Sequence, residues 1–233
     1  HTSSDVPTGY VQIEEGIGSA AVDSFYATIE GQGCHGAYPH KGLDPIFISA
    51  QVINAINGII SRRLDPFQQA VISIGSIHAG TAPNIIPQRV ELSGTIRSRD
   101  PAVRQWLAAE LERAFALAET LGGQHELEIK KGPPSVVNDT SVVSLLKEAA
   151  SDLLGPDKVL PRTPGMGAED FSYMTELVPG AMFRLGAQIG NQTRRSHSDT
   201  YDLDEDALPI GAAILAEATW RYLAGKAQIS REE

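Results

Sequence analysis

Cysteine is all but absent. Cys34 is the only one in 233 residues, which excludes an internal disulfide framework and suits a reducing, cytoplasmic compartment. No window approaches 18 consecutive apolar residues, which excludes a transmembrane helix of usual length. The longest apolar-rich stretches, 46–60 and 207–223, are broken by Asn, Gln, Glu and Arg. Nor is there a basic run. Nineteen Lys and Arg against 29 Asp and Glu leave a net charge of −10, which argues against nucleic acid or an anionic membrane as partner. A Walker loop, a GxSxG elbow and an HExxH helix are likewise missing. Residue 1 is His rather than Met, with no signal peptide near it, so the sequence reads as lacking an N-terminal segment. What remains is ordinary globular material: 42% apolar and 21% charged residues, enough for a core and too apolar for a disordered chain.

The most legible region is 21–135. Phe25, Ala27 and Ile29 alternate with polar residues over 23–30, the period of a half-buried strand. Asp44-Pro45 supplies an N-cap and a first-turn proline, and Val52, Ile53, Ile56, Ile59 and Ile60 predict a helix to about Arg63. Strands follow at 70–78 and 89–97. Asp100-Pro101 opens a second helix that Gly122-Gly123 ends, and 125–131 alternates again. The order β-α-β-β-α-β is the split βαβ of ferredoxin-like folds. A Pro/Asn/Asp stretch at 132–140 marks a boundary. Beyond it the pattern predicts helices over 141–154 and 204–223 and short strands at 159–161 and 181–185. Residues 1–20 and 136–233 are too few to enclose an α/β core with helices on both sheet faces, so the chain reads as one whole domain (21–135) plus part of another.

Several residues could carry chemistry. His35 sits in a Gly-rich loop, Gly31 to His40, whose glycines are expected to adopt positive φ; a plain solvated loop is an even alternative. His197, in Arg194-Arg-Ser-His-Ser-Asp199, has carboxylates nearby as metal-ligand histidines do, although a lone surface His beside an Asp is common. Glu169-Asp170 suits a helix start as readily as a catalytic pair. Glu14-Glu15 reads as a solvated pair rather than a base with a metal ligand. Cys34 lacks a base in suitable geometry, since His35 is adjacent in sequence.

Five ordered motifs resemble the peptidase M20 metallohydrolases. They are Gly33-Cys-His-Gly-Ala-Tyr-Pro-His40 with Asp44-Pro45, Thr81-Ala-Pro-Asn84-Ile-Ile-Pro87, Gly94-Thr-Ile-Arg97, Gly165-Met-Gly-Ala-Glu-Asp-Phe171, and His197-Ser with Asp204-Glu-Asp-Ala-Leu-Pro209. The amidohydrolase branch, with N-acyl-amino-acid, hippurate and auxin-conjugate hydrolases, is the best match, and it covers essentially the whole chain. The resemblance implies a ferredoxin-like lid that mediates homodimerisation, inserted in a zinc-peptidase-like α/β catalytic domain that is truncated here. It implies metal-ligand roles for His1 and His197, and polarisation of the scissile carbonyl by His35, reaching the partner subunit's site. Asn84 and Arg97 match positions that hold the substrate carboxylate. Two divalent ions (zinc, manganese, cobalt or nickel) would activate water and act as Lewis acids on the amide of an N-acyl amino acid or small peptide.

In that branch a Cys/His motif and a Glu-Glu pair precede the position matched by His1. They supply the remaining ligands and the general base, and Glu14-Glu15 follows that position instead. The expectation is therefore a metal-dependent amidohydrolase as the complete protein, with the 233 residues alone inactive. A non-catalytic dimerisation or ligand-binding module is the alternative from another class, and an M20 carboxypeptidase or dipeptidase the alternative among enzymes.

Overall fold

A computed structural model describes residues 1–162, 165–194 and 196–229. In chain order, the first stretch holds strands β1 (Thr2–Pro7), β2 (Val11–Gln12) and β3 (Gly16–Ile17). The middle holds β4 (Ala21–Glu30), β5 (Cys34–His35), helix α1 (Pro45–Gly58), β6 (Ala70–Ala79), β7 (Ile85–Ile86), β8 (Arg89–Ser98), α2 (Pro101–Phe115), α3 (Leu117–Thr120) and β9 (Gln124–Lys131). The last holds β10 (Val137–Asn138), α4 (Thr140–Leu154), β11 (Val159–Leu160), α5 (Ser172–Thr175), β12 (Arg184–Gln188) and α6 (Ala207–Leu223). The chain divides into two compact units. One is His1–Ser19 with Val136–Gly165 and Asp170–Glu233; the other is Ala20–Ser135 with Met166–Glu169.

The Ala20–Ser135 unit is an antiparallel sheet in the order β6-β8-β4-β9, which numbered within the unit is 2-3-1-4, the split βαβ arrangement. Its alternating strands bury one face: Phe25, Ala27 and Ile29 of β4 and Val90, Leu92 and Ile96 of β8 are sealed against α1 and α2. Both helices begin as their Asp-Pro pairs predict. Asp44 accepts from the Ile46 and Phe47 N–H groups at 2.8 and 3.3 Å, and Asp100 from Ala102 and Val103 at 2.6 and 3.1 Å. Ile48, Val52 and Ile56 of α1 and Leu107, Leu111 and Phe115 of α2 are buried, each worth about 1.5–3 kcal/mol of transfer free energy. The first helix does reach Arg63, but its last turn, Ile59–Arg63, is a π-turn closed by Leu64 N–H on Ile59 O at 3.0 Å. Buried Glu110 of α2 anchors that turn through Arg63 at 2.7 Å.

The other unit has a four-stranded mixed sheet, β1-β12-β2-β11, and the two-stranded pair β10-β3. Its core is formed by Val11, Ile13, Leu185 and Ala187 with Val143, Leu146 and Ala149 of α4 and Ile214 and Ala218 of α6. One expectation needs correction, and one strand was not anticipated. The strand placed at 181–185 starts at Arg184, because the Met182 N–H is taken by the Asn138 side chain at 2.9 Å instead of a neighbouring strand. And β1, which no alternation announces, is a strand with Ser3 and Ser4 buried, because parallel pairing with β12 satisfies its backbone.

Candidate functional site

The β4–β8 ladder runs from Ala21↔Ser98 to Glu30↔Arg89 and then continues past the ends of β6 and β9. Gly31 N–H donates to Gln88 O at 2.9 Å, Cys34 pairs with Ile86, His35 with Ile85, and Gly36 N–H donates to Asn84 O at 2.8 Å. The result is a two-stranded arm whose tip carries His35 and, across the ladder, Asn84. Gly31, Gly33 and Gly36 do not adopt the positive φ expected of them. They are needed for close approach: a Cβ on Gly36 would stand 3.0 Å from Asn84 O, and one on Gly33 3.0 Å from Ile86 O.

At the tip, His35 Nδ1 accepts the Ala37 N–H at 3.0 Å, so the neutral ring carries its proton on Nε2. Tyr38, half exposed, lies with its ring 5.6 Å from that of His35. Residues 31–43 and 79–88, which contain the arm, include no Asp or Glu in a chain that has 29 of them. Cys34 points its thiol at Tyr38 O, 3.6 Å away, as a donor rather than a nucleophile paired with a base.

Arg97 is not part of this tip. It lies between Val22 and Val71 near the opposite end of β8, where its Nη1 donates to Met166 O at 3.0 Å. Eight residues separate it from Arg89, about 26 Å of strand at roughly 3.3 Å each, and the tip lies further still. The Met166–Glu169 segment is also tied to this unit through Ala20 N–H on Gly167 O at 2.9 Å. The short helix α5 follows at Ser172, so the glycine turn does precede a helix.

In the other unit, His1 Nδ1 donates to Thr2 O at 2.7 Å, which leaves the ring's lone pair on Nε2, the nitrogen that can ligate a metal. His197 is exposed and has φ 62°, the one non-glycine residue among those described with positive φ. Its loop is tied along β1: Ser4 donates to Arg194 O, and the Thr2 and Tyr201 hydroxyls lie 3.3 Å apart. The loop that carries His197 is thus tied to β1, the strand that follows His1. Two imidazoles are borderline-soft ligands suited to zinc, cobalt or nickel, but fewer than the three protein ligands of a catalytic zinc site. Among the described residues no group of three or more His, Cys, Asp or Glu is arranged to hold a metal ion. Glu14 is sealed in an ion pair with Arg162 at 2.8 Å (side chains 9% and 6% exposed), and Glu15 pairs with Lys147 at 2.9 Å. Both are structural contacts. Tyr38, an aromatic residue before Pro39 and next to the histidine motif, is given no role by the resemblance.

The chain is a mixed α/β fold in which the antiparallel unit interrupts the other unit in sequence. The model of peptidase family M20/M25/M40 matches residues 8–221, and the chain belongs to that family. Its relatives include a Synechocystis sp. protein named as a hydrolase (37% identity, 95% of this chain, 58% of that protein) and thermostable carboxypeptidase 1 of Saccharolobus solfataricus (37%, 93% and 56%). N-acetyl-L-cysteine deacetylase of Bacillus subtilis is 33% identical over 96% of this chain and 53% of that enzyme. Among solved structures, a dinuclear metal-binding M20 peptidase from Bacillus subtilis superposes with TM-score 0.79 at 30% identity, covering 96% of this chain and 56% of that one. A chain from methicillin-resistant Staphylococcus aureus superposes with TM-score 0.87 at 27% identity, covering 96% and 58%. The chain therefore spans little more than half the length of the curated relatives it matches. No helix among the described residues is long and apolar enough to cross a membrane.

Proposed function

We propose that this chain contributes the carbonyl-polarising and carboxylate-binding residues of a metal-dependent amidohydrolase that cleaves N-acyl amino acids. The observation that carries this reading is the arm tip, where His35, paired with Ile85, is held with Nε2–H as a donor next to the Gly36–Asn84 pair, on two segments (31–43 and 79–88) that contain no Asp or Glu. A neutral imidazole donor aimed at a carbonyl stabilises the oxyanion that develops on it, often the largest single electrostatic contribution to acyl transfer. The Asn84 amide and the Arg97 guanidinium take the substrate carboxylate, the latter as a charge-assisted contact. His1 and His197 are ligands to a dinuclear centre of zinc, manganese, cobalt or nickel whose other ligands and general base come from outside these 233 residues. When bound, the metal pair supplies Lewis acidity and an activated water.

The length of strand between Arg97 and the arm tip exceeds any N-acyl amino acid. If both bind one substrate they come from two chains, which supports a homodimer formed through the ferredoxin-like lid, residues 21–135, with each arm serving its partner. Residues 1–20 and 136–233 then belong to the catalytic domain. On the single cysteine we place the enzyme in the cytoplasm.

In the whole enzyme, His197→Ala should lose metal, whereas His35→Ala should keep it and lose about 10²–10³-fold in kcat. Mixed dimers of the two inactive variants should regain activity through hybrid sites. Equal metal loss in both variants, or no recovery in verified heterodimers, would refute these roles. The 233 residues by themselves should hydrolyse nothing; turnover by them would overturn the division of the site. The Saccharolobus relatives favour a second reading, a carboxypeptidase. A panel of N-acyl amino acids against dipeptides separates the two, and absence of turnover on both in the whole protein would favour a non-catalytic association module.

A further inference from the structure

We infer that Tyr38 is a specificity-determining residue: its ring forms the wall against which the acyl group of the substrate rests. This rests on the reading of His35 as the donor to the scissile carbonyl.

The first support is rigidity. Tyr38 N–H donates to His35 O at 2.8 Å, its carbonyl accepts from Lys41 N–H at 3.0 Å and from the Cys34 thiol at 3.6 Å, and Pro39 fixes the next φ. Gly42, which ends the turn, has no room for a Cβ: one would stand 2.7 Å from Cys34 Sγ. The ring is held from several sides as well. His35 is tilted 53° to it at 5.6 Å, His40 stands edge-on at 6.3 Å, and Lys41 Nζ lies 5.0 Å from its centroid. Yet the residue remains 52% exposed. An isolated exposed aromatic needs no explanation. One fixed by its backbone and its neighbours has already lost the freedom that binding normally removes, so contact with a ligand costs little ordering entropy.

The second support is position. A carbonyl oxygen accepting from His35 Nε2 sits about 2.9 Å from it. The amino-acid half of the substrate is assigned to Asn84, on the strand opposite His35. Tyr38 follows His35 across the turn that leaves β5, and its ring lies 5.6 Å from the imidazole, within reach of a substituent on the carbonyl that His35 holds; with the amino-acid half assigned to Asn84, that substituent is the acyl group. Aromatic pairs with centroids 4.5–7 Å apart attract in offset or edge-to-face arrangements, and the tilted His35–Tyr38 pair falls in that range. A flat aromatic acyl group adds a third ring to this pair; an acetyl group has no ring to offer.

The test compares N-benzoyl-alanine with N-acetyl-alanine in the whole enzyme, reading the ratio of kcat/KM. Tyr38→Ala should lower the benzoyl-to-acetyl ratio about three- to tenfold. Tyr38→Phe, which keeps the ring and is the safer variant for folding, should retain it. Equal losses on both substrates in Tyr38→Ala would mean that the ring only supports His35, and the proposal falls. If His35→Ala keeps full turnover, the reading of His35 fails, whatever Tyr38 does. If His35→Ala is crippled while the ratio in Tyr38→Ala is unchanged, only the acyl-wall assignment fails.

Discussion

Asp23 stands in β4 in phase with Phe25, Ala27 and Ile29, so a carboxylate occupies a core-facing position and is only 3% exposed. Arg104 of α2 reaches it through Nε at 2.9 Å and through Nη2, and Gly132 N–H adds a bond at 3.1 Å, while Nη2 also donates to Gly132 O at 2.8 Å. Breaking a buried pair from one side costs about 3–5 kcal/mol, because a charge is left without its partner. Arg104 is 18% exposed and regains some water, so Asp23→Ala should fall near the lower end, about 3 kcal/mol. Arg104→Ala leaves the sealed carboxylate behind and should cost more. Replacing both partners with apolar residues, Asp23→Leu with Arg104→Met, should be far cheaper than the sum of the single changes. Urea unfolding is the assay. The two tryptophans fall one in each unit, so a Trp220→Phe background leaves Trp106, packed on the ferredoxin-like core, as its reporter. At an m-value of about 1–3 kcal/mol/M the Asp23→Ala midpoint should drop by roughly 1–3 M. A drop below about 0.3 M, or a double variant as unstable as the summed singles, would refute the reasoning.

Other outcomes follow from local geometry. Burial by itself would push the Asp139 carboxyl up, but bonds from the Ser141 hydroxyl and the Val142 and Ser141 N–H groups outweigh it and hold the pKa low. A depressed folded pKa gives stability that is present above the unfolded value, about 3.9, and lost as pH falls through the folded one. Asp139→Ala should therefore cost about 0.5–2 kcal/mol at pH 7, by loss of the α4 N-cap, and the gap from wild type should narrow below about pH 4 in denaturation measured across pH. A Cβ on Gly94 would stand 2.6 Å from two carbons of the Phe25 ring and collide with Ser73 O, so Gly94→Ala should destabilise the ferredoxin-like unit by at least about 1–3 kcal/mol in the same Trp106 assay.

Period and capping made most of the ferredoxin-like unit legible. Two Asp-Pro pairs set both helix starts, and alternation located its four long strands. Periodicity was silent where partners rather than side chains decide the structure: β1 is polar and exists because β12 pairs with it, and β5 and β7 are two residues each, too short for any pattern. Asp23 shows the converse. Its phase put it on the buried face, but Arg104, 81 residues away, and the Gly132 N–H make that tolerable. At the candidate site the motif picked out His35 and Asn84. The same motif could not tell that its glycines serve close approach rather than left-handed turns, because that depends on the facing strand.

The arm is also a lever. Gly31 to Gly36 extends it by about 17 Å, so a swing of about 5° at its root moves the tip by roughly 1.4 Å. Misplacements of about 1 Å at a reacting centre can cost on the order of 100-fold in rate. What resists the swing is a lateral brace, in which Gln32 and Leu43 exchange backbone bonds at 2.8 and 2.9 Å one residue before the cap that starts α1. The register of His35 is thereby geared to α1, and a core substitution beneath that helix can detune a histidine that it never touches.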